Sequence, residues 1–285
     1  MTAQILESKP IVSRIKEEIK NEVNKLKDIG ITPRLVTVLV GGDAPSMTYA
    51  QSKEKSCKAL GIDFALELYK DNVPEDKIIE TIQALNIDPF IHGIMLELPL
   101  PKHIDSYNVT SAIYPKKDVD GVTPVNRGLL LMGRLDEALV PVTPLSCLTL
   151  IESTNVEIKG KNVAIIGRGP TVGLPLTLLL IKKNTTVTVC HSQTKNLANV
   201  VKNADIVVAA TGQAGLVKVD MLSPGQIVID AGISVLPDGK LKGDVEEGAA
   251  DVVDFLSPVP GGVGSLTVTL LLKNLIKAIS LQKGK

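Results

Sequence analysis

Apolar residues recur along this chain in two alternating periods, one helical and one extended. Ile11, Ile15, Ile19, Val23 and Leu26 stand at helical spacing with lysines and glutamates between them, which predicts an amphipathic helix over 10–29. Arg34-Leu-Val-Thr-Val-Leu-Val40 reads as a buried strand ending at Gly41-Gly42-Asp43. Ser46 is positioned to cap a helix carrying Tyr49, Lys53, Cys57 and Leu60, with Gly61 as its stop. A strand at 64–69, a helix at 74–85 and a strand at 91–97 complete a first α/β block, closed by Pro99 and Pro101. Thr143 and Pro144 mark the start of a linking helix over 145–154. A second block follows: strand 162–167, helix 171–182, strands 186–190, 205–210 and 226–230, and a short edge strand at 252–255. Strands alternating with helices imply crossover connections and parallel sheets. The expected fold is α/β in two domains. The first block reaches the linking helix, and the strand–glycine loop–helix order of the second is Rossmann-type.

Composition fits this picture. At 285 residues the chain suits two domains, and with no Trp, four Tyr and three Phe its cores must be built from aliphatic side chains. Basic and acidic residues balance at 31 each, which gives no electrostatic case for a nucleic-acid partner. Cys57, Cys147 and Cys190 are scattered, as are His92, His103 and His191, so neither a disulfide framework nor a metal site is expected. The first ten residues carry no apolar signal core. The apolar tract 266–279 is interrupted by Lys273, Asn274 and Lys277, too short and too charged for a membrane span. A cytoplasmic protein is the expectation.

Two devices carry chemistry. Tyr49 and Lys53 are four apart and share one helix face, an acid/base arrangement. Short-chain dehydrogenases use the same pair, but their nucleotide loop precedes it; here the loop Gly167-Arg-Gly-Pro-Thr-Val-Gly173 comes much later. A glycine loop between strand and helix turns backbone N–H groups and the helix dipole toward a pyrophosphate. An NAD-preferring site ends its second strand in a carboxylate, and this chain has Cys190-His191-Ser192 there. Arg168 and Ser192 can hold a 2′-phosphate, so NADP is favoured over NAD. Each feature also has a plainer reading: Lys53 and Lys55 as solvated lysines, Tyr49 as packing, Asp118 and Asp120 as turn carboxylates before Gly121, Arg168 as a loop cation, Cys190 and His191 as structural.

In full, the chain resembles the methylenetetrahydrofolate dehydrogenase/methenyltetrahydrofolate cyclohydrolase family of the bacterial FolD type. The likeness rests on Tyr49-Ala-Gln-Ser-Lys53, Gly93-Ile-Met-Leu-Glu-Leu-Pro-Leu-Pro101, Lys117-Asp-Val-Asp-Gly121 and Pro141-Val-Thr-Pro144. It continues through Gly167–Pro175, Gly243-Asp-Val245 and Ser257-Pro-Val-Pro-Gly-Gly-Val-Gly264, in that order. The resemblance implies two reactions on tetrahydrofolate derivatives: hydride transfer to NADP and hydrolysis of the methenyl product. It implies catalytic roles for Lys53, Tyr49 and Glu97, and folate binding by Asp120, Pro260, Gly261 and Gly262. Cofactor contacts are implied at Gly167, Arg168, Gly169, Thr171, Val172, Gly173, His191, Ser192, Thr211, Gly212, Ile233 and Gly264. It implies a three-layer α/β catalytic domain of 1–143 plus 266–285, to which the last helix returns, a Rossmann-type NADP-binding domain of 144–265, and a homodimer joined through the nucleotide domains.

The chain departs from the family most clearly at Glu97, where the family has glutamine beside the catalytic lysine. A carboxylate there favours the ammonium form of Lys53 and weakens it as a base. Alternatively Glu97 is itself the base and Lys53 the donor. The alternative to a bifunctional enzyme is therefore a dehydrogenase whose cyclohydrolase is impaired by Glu97. Milder departures are Val142 for Cys, Gly169 for Ser and Ser265-Leu266 for Pro-Met. A nucleotide-binding regulator without turnover, and an amino-acid- or shikimate-type dehydrogenase, are the readings from other classes.

Overall fold

The computed structural model describes residues 2–42, 44–236 and 239–284, so Asp43 lies outside the described residues. The chain forms two compact units, Met1–Val12 with Pro141–Thr267 and Ser13–Val140 with Val268–Lys285. Both are α/β with parallel main sheets, as the alternating pattern predicts.

From the N-terminus, β1 (Gln4–Ile5) leads to α1 (Lys9–Asp28), whose Ile15, Ile19 and Val23 are buried. Then come β2 (Arg34–Val40), α2 (Ala44–Ala59), β3 (Asp63–Tyr69), α3 (Glu75–Ile87) and β4 (Gly93–Leu96). These three strands form a parallel sheet in the order β3-β2-β4. Val36, Val38 and Val40 of β2 pack with Ile94 and Leu96 of β4 and with Ile78 and Ile82 of α3. The alternate positions Leu35 and Leu39 are buried too, so both faces of the central strand are covered, which is why its sequence is apolar but for Arg34 at its start and the buried Thr37.

Local boundaries differ from the expectation where proline is involved. Helix α2 starts at Ala44, so Ser46 lies within its first turn and is not the cap. Pro45 is tolerated there because first-turn N–H groups have no intrahelical acceptor. Two short helices, α4 (Ser106–Ala112) and α5 (Pro124–Leu131), were not legible from periodicity. Their caps define them: Asp105 accepts from the Tyr107 N–H at 2.8 Å, and Thr123 accepts from Asn126 with Pro124 at the first helical position.

The second unit contains α6 (Val142–Ser153), β5 (Asn162–Ile166), α7 (Gly173–Lys182), β6 (Thr186–Cys190), α8 (Leu197–Lys202) and β7 (Ile206–Ala209). It continues with β8 (Ile227–Asp230), a small antiparallel pair β9 (Ser234–Val235) and β10 (Leu241–Lys242), then β11 (Phe255–Leu256) and the start of α9 (Val263–Gln282). The main sheet runs β1-β11-β8-β7-β5-β6, all parallel. Three expectations change here. The strand expected at 252–255 is β11, and it is interior, because β1 adds outside it; two paired residues are too few to leave a periodic signal. Residues 4–5 thereby belong to the nucleotide unit, not to the catalytic one. Helix α6 begins at Val142 after Pro141, so Thr143 is helical, and Pro144 occupies the first turn without cost.

Helix α9 is 20 residues long and meets the length and composition of a membrane span, against the expectation of too short a tract. Its apolar residues Leu271, Leu272, Leu275, Ala278 and Ile279 are buried within protein. Its polar residues are bonded: Asn274 Nδ2 donates to the Val119 and Val140 carbonyls at 2.9 and 2.8 Å, and Lys277 to those of Leu135 and Ala138. This is how a core helix anchors loops. Replacing Asn274 with the similar-sized Leu strips two buried carbonyls of their donor. We expect a loss of about 1–3 kcal/mol in urea unfolding with an unchanged m-value.

Candidate functional site

In the catalytic unit, α2 carries Tyr49 and Lys53 one turn apart, but with opposite environments. Tyr49 is exposed, whereas Lys53 is buried, 4% accessible. Burying an ammonium requires a counter-charge. Glu97 supplies it: the Lys53 Nζ contacts Glu97 Oε1 directly. Glu97 is the residue after β4, and its N–H donates to the Val38 carbonyl at 3.0 Å, so the parallel sheet sets where the carboxylate stands.

Asp118 and Asp120 divide the two readings between them. Asp118 is completely buried and is the turn carboxylate. It accepts from the Val122 and Thr123 N–H groups at 3.0 and 2.8 Å and from Asn126 Nδ2 at 2.8 Å. Gly121, at φ +68°, allows the chain to double back onto it. Asp120 is thereby left facing the Lys53–Glu97 pair electrostatically. Burial first, then the charges of Asp118 and Glu97, push its carboxyl up to about 8; Lys53 and Arg127 oppose that only in part. Lys53, Glu97 and Asp120 therefore form one charged cluster at the carboxyl end of β4. Asn126 was missed from sequence; its Oδ1 also holds the Leu139 N–H, and the only sequence signal was Thr123-Pro124 opening a helix.

The thiols stay out of this chemistry. Cys57 is pushed up to about 12 by burial, as is Cys147, and burial also raises Cys190. Among the described residues no group of His, Cys, Asp and Glu could hold a metal ion.

In the nucleotide unit the glycines of the loop have distinct jobs. Gly167 (φ +115°) donates to the Cys190 carbonyl at 2.9 Å, and a Cβ on it would overlap the Ala210 carbonyl. A Cβ on Gly173 would overlap the Gly167 carbonyl. Gly169 has open space around its missing side chain, where a ligand can approach the backbone. Helix α7 starts at Gly173, so Thr171 and Val172 lie in the turn; no side chain caps it, the Leu174 N–H donates to the Gly169 carbonyl at 3.1 Å, and Pro175 carries no N–H. This is the geometry of an anion site: close packing behind, open backbone in front. Arg168 and Ser192 are exposed on either side of it, beyond β5 and β6. His191 is tied into its own turn, its Nδ1 accepting from the Gln193 N–H at 3.2 Å and its N–H donating to Thr194. Thr211 and Gly212 follow β7; Ile233 follows β8 and is exposed, with Gly264 beside it.

Pro260, Gly261 and Gly262 lie in this unit and not with Asp120. Ser8 holds their loop: its N–H and hydroxyl both donate to the Gly261 carbonyl, at 3.0 and 2.7 Å. Gly262 is buried against the Pro258 carbonyl, leaving no room for a side chain. Ser8 was not found from sequence because it acts across 253 residues.

With this geometry in view, family models match both parts of the chain. Residues 6–120 match the catalytic domain of tetrahydrofolate dehydrogenase/cyclohydrolase, and residues 141–283 its NAD(P)-binding domain. A Desulfitobacterium hafniense protein named bifunctional protein FolD 2 is 51% identical over 282 residues, 99% of this chain and 98% of that one. A bifunctional FolD methylenetetrahydrofolate dehydrogenase/cyclohydrolase structure from Campylobacter jejuni superposes with a TM-score of 0.94 at 37% identity, covering 98% and 99% of the two chains. A Trypanosoma brucei methylenetetrahydrofolate dehydrogenase-cyclohydrolase, solved with NADP cofactor and inhibitor, gives 0.92 at 35% identity, covering 100% and 99%. The chain belongs to the tetrahydrofolate dehydrogenase/cyclohydrolase family.

Proposed function

We propose that this chain oxidises 5,10-methylenetetrahydrofolate with NADP and hydrolyses the methenyl product to 10-formyltetrahydrofolate. The carrying observation is the Lys53–Glu97–Asp120 cluster in a chain of this family. Relatives named bifunctional support both activities. Folate chemistry is assigned to the unit containing Lys53 and NADP binding to the unit containing the glycine loop. The active form is taken to be a homodimer.

NADP, when bound, accepts the hydride. Hydride loss from the methylene carbon leaves a nitrogen-stabilised cation, so the protein's work in that step is positioning and exclusion of water. The turn 167–173 and the positive end of the α7 dipole suit the pyrophosphate, with Thr171 and Val172 flanking it. Arg168 and Ser192 suit the 2′-phosphate, and the end of β6 carries no carboxylate to repel it. His191, Thr211, Gly212, Ile233 and Gly264 are assigned to the remaining cofactor surface, and Pro260, Gly261 and Gly262 to the folate. Arg168→Ala should raise KM for NADP about 10–100-fold, the worth of a charged hydrogen-bonding contact, and leave KM for NAD nearly unchanged. An unaltered NADP/NAD ratio in initial rates would reject this assignment.

Asp120 is assigned to the pterin, whose N–H edge pairs with a carboxylate. In the free protein its carboxyl, up to about 8, holds a proton at neutral pH. Pairing stabilises the charged form, so binding expels that proton. Calorimetry of folate binding in buffers of different ionisation enthalpy should show release approaching one proton at about pH 7, fading as pH rises past about 8. Asp120→Asn should bind more weakly and release none from this position.

Lys53 and Glu97 share one proton in hydrolysis. With the proton on Glu97, Lys53 is an amine and takes a proton from water as the water oxygen bonds to the methenyl carbon. The carbon–N5 bond then breaks as the Lys53 ammonium protonates N5. The remaining O–H proton leaves as the formyl carbonyl forms, so one proton reaches solvent per turnover. Tyr49, one turn away, is assigned to substrate orientation. Lys53→Met should lower cofactor-free methenyl hydrolysis about 10²–10⁴-fold and NADP reduction by less. Glu97→Gln removes the carboxylate that pairs with Lys53 and should raise hydrolysis relative to NADP reduction; a fall would make Glu97 the acceptor from water. A wild-type rate no faster than buffer would sink the second activity.

A further inference from the structure

Two carboxylates in the nucleotide unit, Asp230 and Asp244, are 4% and 0% accessible and belong to none of the roles assigned so far. Their partners are N–H groups and one hydroxyl, not lysine or arginine. Asp244 Oδ2 accepts from the Thr211 N–H at 2.5 Å, the Thr211 hydroxyl at 2.8 Å and the Gly212 N–H at 3.1 Å. Asp230 accepts from the N–H groups of Gly232, Asp244 and Val245 at 2.9–3.0 Å. The two are interlocked through glycines: a Cβ on Gly243 would overlap the Asp230 carboxylate, and one on Gly232 that of Asp244.

Burying two acids this way is expensive, and stability alone is better served by apolar residues. The arrangement fastens the loop after β7 to the segments after β8 and β10, and the Asp230 N–H ties it to Ser257 Oγ after β11 at 2.8 Å. The loop after β7 is the one that abuts the phosphate turn, since Gly167 lies against the Ala210 carbonyl with Thr211 Cγ2 next nearest. In a parallel sheet whose order reverses at β5, a dinucleotide lies outside these strand ends. The Thr211 hydroxyl gives its proton to Asp244 and accepts from the Gln213 N–H at 3.2 Å, and the Thr211 and Gly212 N–H groups are held by Asp244 as well. This loop can offer a cofactor acceptor oxygens and a packed surface, and Asp244 decides where they stand.

We propose that Asp244 is a positioning residue for the cofactor, fixing the Thr211–Gly212 backbone as one wall of the dinucleotide crevice, with Asp230 fixing Asp244 in turn. The assignment rests on the NADP-dependent reading above. It is tested by Asp244→Asn in the full-length protein, with NADP Kd measured by titration and both activities assayed. Exchanging a charged acceptor of three bonds for a neutral one should raise NADP Kd and KM about tenfold or more. Cofactor-free methenyl hydrolysis, which draws nothing from this loop, should keep its kcat within about twofold. Parallel loss of both activities with a lowered Tm would reduce Asp244 to a structural residue and overturn the proposal. An unchanged NADP Kd in a folded variant would overturn it as well. Should Asp244→Asn not fold, Thr211→Val removes one of the three donors and should raise NADP Kd about threefold or more; no change there also overturns it. If the wild-type chain itself binds no NADP, the cofactor reading falls and this assignment falls with it.

Discussion

A parallel strand buried on both faces has room for polar chemistry only at its ends, and this constraint organises the whole chain. Between the two sheets, Glu97 follows β4, Gly167 follows β5, Ser192 lies beyond β6, Thr211 follows β7, Asp230 ends β8 and Ser257 follows β11. Every one is at a carboxyl end. Parallel order makes this inevitable: it brings all carboxyl ends to one edge of each sheet, where loops of unlike sequence meet. The interiors of those strands, from Leu35 to Val40 and from Val163 to Ile166, carry the apolar side chains that hold the edge rigid.

Because the polar groups cluster at buried edges, each must be matched, and how completely it is matched separates scaffold from chemistry. Asp118 receives three donors and Lys117 gives its three protons to the carbonyls of Leu85, Asn86 and Asp88. Both are saturated, and both hold loops. Asp120, two residues from Asp118, has no such set and carries the displaced proton affinity instead. The saturated neighbour is part of the cause, since its fixed negative charge is what Asp120 must ionise against. Scaffold and site are thus built from the same residue type, told apart by their donors.

Sequence reading was good at what repeats and poor at what reaches far. The strand limits of β2 and β6 were legible to the residue, the first as a buried strand stopped by Gly41 and the second as a β-branched run on the sheet edge with alternating exposure. The tight turn after β5 was legible because its glycines are where the backbone packs too closely for a side chain, at Gly167 and Gly173. Tyr49 and Lys53 were legible as a helical pair, but not that one would be exposed and the other buried; that depends on Glu97, 44 residues away. The hidden parts were Ser8 holding Gly261, β1 pairing with β11, and Asn126 bridging Asp118 to Leu139. Each is a single contact across a long loop, with no period and no neighbour to announce it.

The same logic bears on Glu97. A buried lysine without a counter-charge loses its proton readily; one that touches a carboxylate keeps it. Proton transfer in hydrolysis needs both forms of Lys53 within a turnover, the amine to accept and the ammonium to donate. A glutamine neighbour leaves the exchange to solvent and substrate. A glutamate makes it internal, since a proton that leaves Lys53 has somewhere to go one bond away, but it also makes the amine form costlier to reach. Under the proposed mechanism Asp120 adds a second lever, because expelling its proton on folate binding would place negative charge beside the pair. Substrate binding and proton transfer would then be coupled through three side chains on the short path from α2 to β4 to the turn at Gly121, and a change at Glu97 would act on both.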